Sequence, residues 1–260
     1  MSSRPIGIFD SGLGGLTVVN ALMKTLPAES FIYLGDTARM PYGEKDANTI
    51  RTYGRQLVNF LQQKNVKAII AACGTVSSNT LWEPPIIDVV RPGIDACIRL
   101  NKKRIGVIAT QATVNSGFFQ RMFKEKAPSL DVDVKPCPLF VPLIEEGITG
   151  HGVIKPIAKA YLQDYLTNPV DALVLGCTHY PLLAPVLSEI LGDIPLIDMA
   201  IATVESTREF LSENDLLNES SEPSYEFFVS AHVGKFNELG KQITGLSIKA
   251  QKLEIINLQD

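Results

Sequence analysis

Short apolar runs, each ending in small or polar residues, recur along the chain. Residues 67–72 form one such run and end at Cys73, and residues 170–175 form another, separated from Cys177 by one glycine. Each run predicts a strand buried on both faces, followed by a turn toward a helix. Ligands of open parallel sheets bind at the carboxyl ends of the strands. The pattern therefore predicts one thiol at the ligand-binding edge of each of two strands.

The other apolar runs alternate with stretches of helical periodicity. Further strands are predicted at residues 5–9, 31–34, 86–90, 104–110, 132–135, 196–197, 225–230 and 253–256. Helices are predicted at residues 16–26, 47–64, 182–191, 202–212 and 233–242, and another is predicted to open at Ser77, Ser78 and Asn79. We interpret residues 91–93 as a crossing between two halves of the chain. We expect the last two strands to extend the sheet of the first half.

The second half of the chain repeats landmarks of the first half in the same order. The strand at residues 104–110 resembles the strand at residues 5–9, and the loop 136–147 corresponds to the segment 31–43. The number of residues between the two strand-end cysteines is nearly the same as the number between these two strands. Three landmarks in one order indicate two similar units, each with strands and helices alternating around a parallel sheet.

The repetition predicts an α/β fold of two pseudosymmetric domains, each with a mostly parallel central sheet. The first domain comprises residues 1–95 and 209–260, and the second comprises residues 96–208. If the strand-end edges of the two sheets face each other, they form a cleft with Cys73 on one wall and Cys177 on the other. We predict that this cleft is the active site.

Composition argues against several classes of protein. The chain has 260 residues, and its 24 Lys and Arg against 28 Asp and Glu give a net charge of −4, which offers no basic footprint for nucleic acid. No apolar run approaches the roughly 18 residues of a membrane span, and the N-terminus enters a strand without the apolar region of a signal peptide. We expect a cytoplasmic protein. The four cysteines include no CxxC pair, so we expect free thiols and no metal site.

A glycine-rich loop from Asp10 to Gly15 follows the first predicted strand. It does not match the dinucleotide fingerprint GxGxxG, because Thr17 occupies the third glycine position, and a carboxylate at the strand end would repel a pyrophosphate. Asp10 can instead bind an ammonium group while free N–H groups at the helix start bind a carboxylate. The alternative is that Asp10 and Ser11 cap the following helix.

Two thiols on opposite faces of one carbon atom form a matched base and acid. One removes a proton, the other delivers a proton from the far side, and the configuration of the carbon inverts. A free cysteine has a pKa of about 8.5, so thiol and thiolate are both accessible near neutral pH when a neighbouring group tunes them. Such a site needs no cofactor if Asp10, His179 and backbone N–H groups stabilise the developing charge.

Four blocks of sequence, in this order, resemble bacterial glutamate racemases, and the similarity extends from Ile6 to about Leu258. The blocks are Ile8 to Gly15, Tyr33 to Gly43, Cys137 to Glu145 and Gly176 to Leu183. The resemblance implies a cofactor-independent racemase of two pseudosymmetric αβ domains, which makes D-glutamate for peptidoglycan and forms a homodimer.

The resemblance also implies roles for individual residues. Cys73 and Cys177 are the acid/base thiols, the first acting on D-glutamate and the second on L-glutamate. Asp10 and His179 assist the neighbouring thiols, and Glu145 is a further assisting carboxylate. The carboxylates and amine of the substrate are bound by Ser11, Pro41, Tyr42, Gly43, Thr75 and Thr178, and a loop that contains Thr110 and Thr113 lines the same site.

One position departs from the family pattern. Most members have asparagine directly after the first cysteine, where this chain has Gly74. The missing amide contact at this substrate-binding position leaves three possibilities. Backbone or a nearby Ser77, Ser78 or Asn79 substitutes for it, or substrate affinity is reduced, or the preferred substrate has changed.

Three alternatives to glutamate racemisation stay open. The first is a racemase of aspartate or of another small acidic compound. The second is a catalytically weakened, binding or regulatory relative that keeps the fold. The third is a redox role for Cys73 and Cys177, which requires Cα atoms within about 7 Å and so leaves no room for a substrate between them.

Overall fold

The strands of the protein lie in two parallel sheets, seen in a computed structural model that describes residues 3–219 and 222–258. The strands are β1 (Ile6–Asp10), β2 (Phe31–Gly35), β3 (Ala68–Ala71), β4 (Ile86–Asp88), β5 (Arg104–Ala109), β6 (Asp131–Pro136), β7 (Ala172–Leu175), β8 (Leu196–Asp198), β9 (Tyr225–Val229) and β10 (Gln251–Lys252). The first sheet has the order β10-β9-β2-β1-β3-β4, and the second has the order β6-β5-β7-β8. The predicted α/β fold class is confirmed.

Helices cover the faces of both sheets. They are α1 (Leu16–Thr25), α2 (Ala47–Gln63), α3 (Gly74–Asn79), α4 (Val90–Arg99), α5 (Gln111–Ser116), α6 (Phe118–Lys126), α7 (Phe140–Glu145), α8 (His151–Thr167), α9 (Ala184–Leu191), α10 (Met199–Glu213) and α11 (Val233–Thr244). Short 3-10 helices cover Tyr42–Glu44, Tyr180–Leu183 and Ile255–Leu258. Among the described residues, none of these helices is long and apolar enough to span a membrane.

The predicted duplication is visible in the strand order. The four strands β2-β1-β3-β4 of the first sheet recur as β6-β5-β7-β8 in the second, with every pairing parallel. Cys73 lies two residues beyond the end of β3, and Cys177 lies two residues beyond the end of β7. The two thiols therefore occupy equivalent positions in the two sheets. Strands β9 and β10 extend the first sheet beyond β2, as expected.

Buried apolar faces explain why these elements form. All five residues of β1 are buried, and Ile8 pairs with Tyr33 of β2 and Ile70 of β3. A strand in the centre of a parallel sheet is covered on both faces, which selects a continuous apolar run. The helix predicted at residues 47–64 is α2, which packs on this sheet through Ile50 and Leu57, both fully buried.

Two elements begin at other residues than predicted. The strand predicted at 253–256 is instead β10 at Gln251–Lys252, followed by a 3-10 turn, because Leu253 turns inward to the core after its N–H bonds the Val229 carbonyl. The helix predicted to open at Ser77 begins at Gly74, and the Ser77 hydroxyl bonds the Ala71 carbonyl instead of capping.

Residues 91–93, interpreted as a crossing between halves, lie in the first turn of α4. Proline is tolerated there because the first N–H groups of a helix have no intrahelical partner. The carboxylate of Asp88 accepts from the N–H groups of Val90 and Arg91 at 2.9 and 2.8 Å and so starts the helix. A Cβ on Gly93 would lie 2.5 Å from Met199 Cγ, which shows how closely α4 packs on α10. The domain boundaries at residues 95 and 208 stay a prediction.

A buried ion pair ties the amino-terminal end of β3 to the rest of the first sheet. Lys67 Nζ lies 2.5 Å from Glu29 Oε2 and donates to the Leu216 carbonyl at 2.7 Å, and both charged side chains are almost fully buried. The other oxygen of Glu29 accepts from Asn218 N–H at 2.8 Å. The pair therefore fastens the segment after α10 to the sheet.

We expect Lys67→Met to lower the free energy of unfolding by about 3–5 kcal/mol, because it leaves the Glu29 carboxylate buried without its partner. Urea unfolding followed by far-UV circular dichroism measures the change. Lys126→Met is the matched control, since Lys126 pairs with Asp95 at the surface and its loss should change stability by no more than about 1 kcal/mol. Equal effects of the two substitutions would contradict the argument.

Candidate active site

The strand ends of the two sheets meet at a small buried cavity. It is lined by Asp10, Ser11, Tyr42, Gly43, Cys73, Gly74, Thr75, Thr110, Val141, Cys177, Thr178 and His179. Its volume is about 10 Å³, which is near the space of one water molecule. The structure therefore shows a closed site with both strand-end cysteines on its walls.

Cys73 is placed by the turn from β3 into α3. It is the residue before the first helical turn, with extended backbone angles, and is almost fully buried. Its thiol donates to the Ser11 hydroxyl at 3.6 Å. Burial and the nearby negative charge of Asp10 raise the pKa of Cys73 to about 12, against the opposing effects of the Val76 N–H and the Ser11 hydroxyl. In the closed site this thiol is protonated at neutral pH.

Asp10 carries the unsatisfied charge of the site. One carboxylate oxygen, Oδ2, accepts from the N–H groups of Gly12 and Gly15, both at 3.1 Å. The other oxygen, Oδ1, is buried and has no hydrogen-bond partner among the described residues. An unpaired buried carboxylate oxygen is unfavourable, and the ammonium group of a ligand would satisfy it. Asp10 thus organises the glycine loop and also keeps one oxygen for a cation.

On the opposite wall, Cys177 belongs to a chain of three side chains. The Cys177 sulfur lies 3.7 Å from His179 Nδ1, and His179 Nε2 lies 2.6 Å from Glu145 Oε1. The same oxygen of Glu145 accepts from Leu13 N–H at 2.8 Å, so the glycine loop of the first half orients the carboxylate of the second. The side chains of Cys177, His179 and Glu145 are all buried. A base oriented by a third group is the arrangement that activates nucleophiles and acid/base groups.

The charges of His179 and Glu145 stabilise each other. Burial acts to lower the pKa of His179, but its hydrogen bonds to Cys177 and Glu145 raise that pKa well above the ordinary value. For Glu145, burial acts to raise the pKa, and the hydrogen bond and charge of His179 outweigh it and lower the pKa. The pair is therefore an imidazolium and a carboxylate at neutral pH. A cation beside Cys177 and an anion beside Cys73 make the two walls electrostatically different.

Glycines lie at the closest approaches between the two halves. A Cβ on Gly12 would lie 2.1 Å from Glu145 Oε1, and one on Gly14 would lie 2.3 Å from His179 Nδ1. A Cβ on Gly43 would lie 2.8 Å from Thr110 Cβ. Any larger side chain at these positions would push the walls apart. Closure of the site thus depends on bare backbone at these glycines.

The structure brings most of the predicted site residues to the cavity wall. Three predicted residues stand behind it: Pro41 lies beside a neighbouring small pocket, Thr113 lies behind Thr110, and Glu145 lies behind His179. Val141 lines the cavity and was not predicted. Two signals could have found it: its place in the loop 136–147, which corresponds to the loop after β2, and its place in the block from Cys137 to Glu145 that resembles the family.

Gly74 faces the other wall directly. A Cβ on Gly74 would lie 2.8 Å from the Gly176 carbonyl oxygen, so a larger residue here requires the two walls to separate. The expected substitutes for a missing side-chain amide, Ser77, Ser78 and Asn79, do not line the cavity, and each bonds a neighbouring carbonyl. The backbone alone fills this position.

Within residues 3–219 and 222–258, no group of three or more His, Cys, Asp and Glu side chains is arranged to hold a metal ion. The four cysteines are free thiols. Cys97 lies in α4 and Cys137 follows β6, and both are buried away from the cavity lining.

Comparison with known proteins agrees with this geometry. The chain is 40% identical to the glutamate racemase of Neisseria meningitidis serogroup A over 98% of its length and 97% of the relative. Its structure matches that of glutamate racemase from Francisella tularensis in complex with D-glutamate with a TM-score of 0.91 and 37% identity, covering 98% and 99% of the two chains. Aspartate racemase from Picrophilus torridus shares only the fold, with a TM-score of 0.59 and 16% identity over 80% and 94% of the chains. The family model for Asp/Glu/Hydantoin racemase matches residues 6–207, and the chain therefore belongs to that family.

Proposed function

We propose that the protein interconverts L-glutamate and D-glutamate by a two-thiol mechanism without a cofactor. The observation that carries the proposal is that Cys73 and Cys177, from equivalent strand ends of two duplicated sheets, line one cavity from opposite halves of the chain. The similarity to glutamate racemases over nearly the whole chain supports glutamate as the substrate.

The chemistry follows from the two walls. One thiolate takes the proton from Cα of the substrate, the C–H electron pair is held in the adjacent carboxylate, and the other thiol gives a proton to the opposite face. One S–H and one C–H bond form while one of each breaks, so the proton count of the site is unchanged. The His179 imidazolium stabilises the Cys177 thiolate, and Asp10 stands beside Cys73.

Recognition of glutamate has to rely on neutral donors and one imidazolium. Among the described residues that line the cavity there is no Lys or Arg, although glutamate carries two carboxylates. Threonine and serine hydroxyls, backbone N–H groups and the His179 ring are the available donors. The unpaired Oδ1 of Asp10 is the acceptor for the substrate ammonium. A cavity of about 10 Å³ does not hold glutamate, so the two walls separate for the substrate to enter.

A second candidate is racemisation of a shorter acidic amino acid such as aspartate. The observation in its favour is Gly74, which lets the two walls approach until a Cβ would lie 2.8 Å from the Gly176 carbonyl oxygen. A shorter distance between walls suits a shorter substrate.

Circular dichroism of each enantiomer of glutamate and aspartate, with no added cofactor, separates these functions. We expect both glutamate enantiomers to lose their signal and converge on the racemate, with aspartate much slower. Inversion of aspartate alone would favour the second candidate. Binding of glutamate without inversion would indicate a binding relative, and inversion only after addition of pyridoxal phosphate would contradict the cofactor-free mechanism.

We further propose the setting that the resemblance implies. The protein acts in the cytoplasm and supplies D-glutamate for peptidoglycan synthesis. It forms a homodimer. Each subunit has one domain of residues 1–95 and 209–260 and a second domain of residues 96–208. The bacterial glutamate racemases to which the chain is similar support this setting. Light scattering coupled to gel filtration measures the subunit number, and a monomer at micromolar concentration would contradict the dimer.

Glu145→Gln should lower kcat/KM by roughly 10- to 100-fold, the loss expected for a hydrogen bond between charged groups. Because Glu145 raises the pKa of His179, the amide lets that pKa fall, and the imidazolium is lost at lower pH. The alkaline limb of the kcat/KM profile should therefore move to lower pH. The exposed neighbour Glu146, which pairs with Lys235, gives the control Glu146→Gln. An unshifted alkaline limb in Glu145→Gln would contradict the role assigned to the pair.

A further inference from the structure

The peptide unit between Gly12 and Leu13 is held at both ends. Its carbonyl, on Gly12, accepts from the Tyr33 hydroxyl at 2.7 Å. Its N–H, on Leu13, donates to Glu145 Oε1 at 2.8 Å. Tyr33 lies in β2 of the first sheet, whereas Glu145 ends α7 in the second half of the chain. One peptide unit therefore connects a core tyrosine of the first half to the carboxylate that bonds His179 in the second.

Tyr33 belongs to the core and not to the cavity wall. It is fully buried, and its ring packs against Phe227 and Phe236 with centroids 6.1 and 5.7 Å away. Burial raises the pKa of Tyr33 well above its ordinary value, so the hydroxyl keeps its proton and acts as a donor throughout the neutral range. The Gly12 carbonyl therefore has a permanent donor, which is supplied from behind the glycine loop.

The planarity of the peptide unit couples its two hydrogen bonds. The C=O and N–H groups point in opposite directions and tilt together, so a donor that fixes the oxygen also fixes the direction of the Leu13 N–H. The Gly12 N–H donates to Asp10, and the Leu13 carbonyl accepts from the Leu16 N–H. Those two groups belong to the adjacent peptide units and leave this plane free to tilt. Glycine at position 12 has no Cβ to oppose the tilt.

We propose that Tyr33 is a positioning residue for racemisation, which acts through the Gly12–Leu13 peptide to hold Glu145 against His179. Hydrogen bonds weaken steeply as the donor turns away from the acceptor, so a tilted peptide would loosen Glu145 and the ring that it orients. Because Tyr33 and Gly12 both belong to the first half, their bond does not depend on closure of the site. The Leu13 N–H thus stays aimed at the place to which Glu145 returns. The inference rests on the proposed function, since it takes the His179–Glu145 pair as part of the racemase site.

Tyr33→Phe keeps the packing of the ring and removes the hydroxyl alone. We expect kcat/KM for glutamate to fall by about 3- to 10-fold, near the range of one net hydrogen bond. Tyr165→Phe is the matched control. Tyr165 is also a buried tyrosine whose hydroxyl donates to a backbone carbonyl, that of Asp133 at 3.2 Å, and it does not line the cavity. This control should leave kcat/KM unchanged.

A double-mutant cycle with Glu145→Ala distinguishes positioning from general damage to the glycine loop. If Tyr33 acts through Glu145, its hydroxyl has nothing to position once the carboxylate is gone, so Tyr33→Phe should cost little further activity in the Glu145→Ala background. Damage to the loop around Asp10 would instead lower kcat/KM by the same factor in both backgrounds. Equal losses in the two backgrounds, or an unchanged kcat/KM in Tyr33→Phe, would overturn the inference.

The titration of Glu145 gives a readout that does not depend on turnover. Burial acts to raise the pKa of Glu145, and its contacts with His179 and the Leu13 N–H outweigh burial and lower it. Loosening these contacts should let that pKa rise. Carboxyl ¹³C NMR of glutamate-labelled protein, with the Glu145 signal assigned by its absence in Glu145→Gln, should show a higher midpoint in Tyr33→Phe and no change in Tyr165→Phe. An unshifted midpoint in Tyr33→Phe would count against the inference.

Wild-type racemisation, measured on the same preparations, separates failure of the inference from failure of the proposed function. An active wild type with equal losses in the two backgrounds contradicts the inference alone. An inactive wild type contradicts the proposed function, and the Glu145 titration then still decides whether Tyr33 positions Glu145.

Discussion

Replacing either Cys73 or Cys177 with alanine should lower the rate of racemisation by about 10²–10⁴-fold, the usual range for a lost acid/base group. Each thiol serves one face of the substrate, so neither can replace the other. Racemisation gives equal amounts of both enantiomers at equilibrium, so kcat/KM must fall equally in the two directions whichever thiol is removed. A loss below about tenfold in either variant would contradict the assignment.

A second readout excludes general damage to the site. Each variant keeps one thiol, which can still exchange the Cα hydrogen of one enantiomer with solvent. From the roles implied by the resemblance, Cys177→Ala should incorporate deuterium into D-glutamate only, and Cys73→Ala into L-glutamate only. Cys97→Ala removes a buried thiol outside the cavity lining and should leave turnover unchanged. Exchange of both enantiomers by one variant would contradict the two-sided mechanism.

Gly14→Ala should lower kcat/KM by about 10²-fold, the loss that a displacement of about 1 Å can cause in an active site. The new Cβ would lie 2.3 Å from His179 Nδ1 and 2.8 Å from Thr178 Oγ1, so the ring has to leave its place between Cys177 and Glu145. Steady-state kinetics measures the loss. The alkaline limb should also move to lower pH, because the displaced ring loses the contacts that raise the pKa of His179.

The control for this substitution is Gly152→Ala. Gly152 lies near the start of α8, and a Cβ at this position would meet no atom of the described residues within 4 Å, so alanine fits without displacing a neighbour. It should leave both turnover and the pH profile unchanged. If Gly14→Ala had the same kinetics as the wild type, His179 would tolerate displacement, and this result would contradict its role beside Cys177.

Apart from β10, the strands and the positions of both thiols follow from local sequence. A fully buried parallel strand needs a continuous apolar run, and the two runs before Cys73 and Cys177 are such segments. The duplicated order of landmarks was enough to predict two similar sheets. Helix α8 was not predicted, because Gly152 and Pro156 within it are residues that usually interrupt helices.

Contacts between the halves could not be read from the sequence. The bond from Leu13 N–H to Glu145 joins residues 132 positions apart, and the bond from the Thr17 hydroxyl to the Thr178 carbonyl joins residues 161 apart. No local pattern encodes such pairs. The same holds for the close approach of Gly74 to the Gly176 carbonyl, which arises only when the two sheets are placed together.

The most direct test of the two-thiol mechanism is the early reaction of L-glutamate in D₂O, followed by mass spectrometry of the separated enantiomers. If Cys177 removes the proton and Cys73 delivers a solvent-exchanged one to the other face, the first D-glutamate formed carries deuterium at Cα and the remaining L-glutamate does not. Product that keeps the original hydrogen, or deuterium that enters L-glutamate as fast as it enters D-glutamate, would contradict this account.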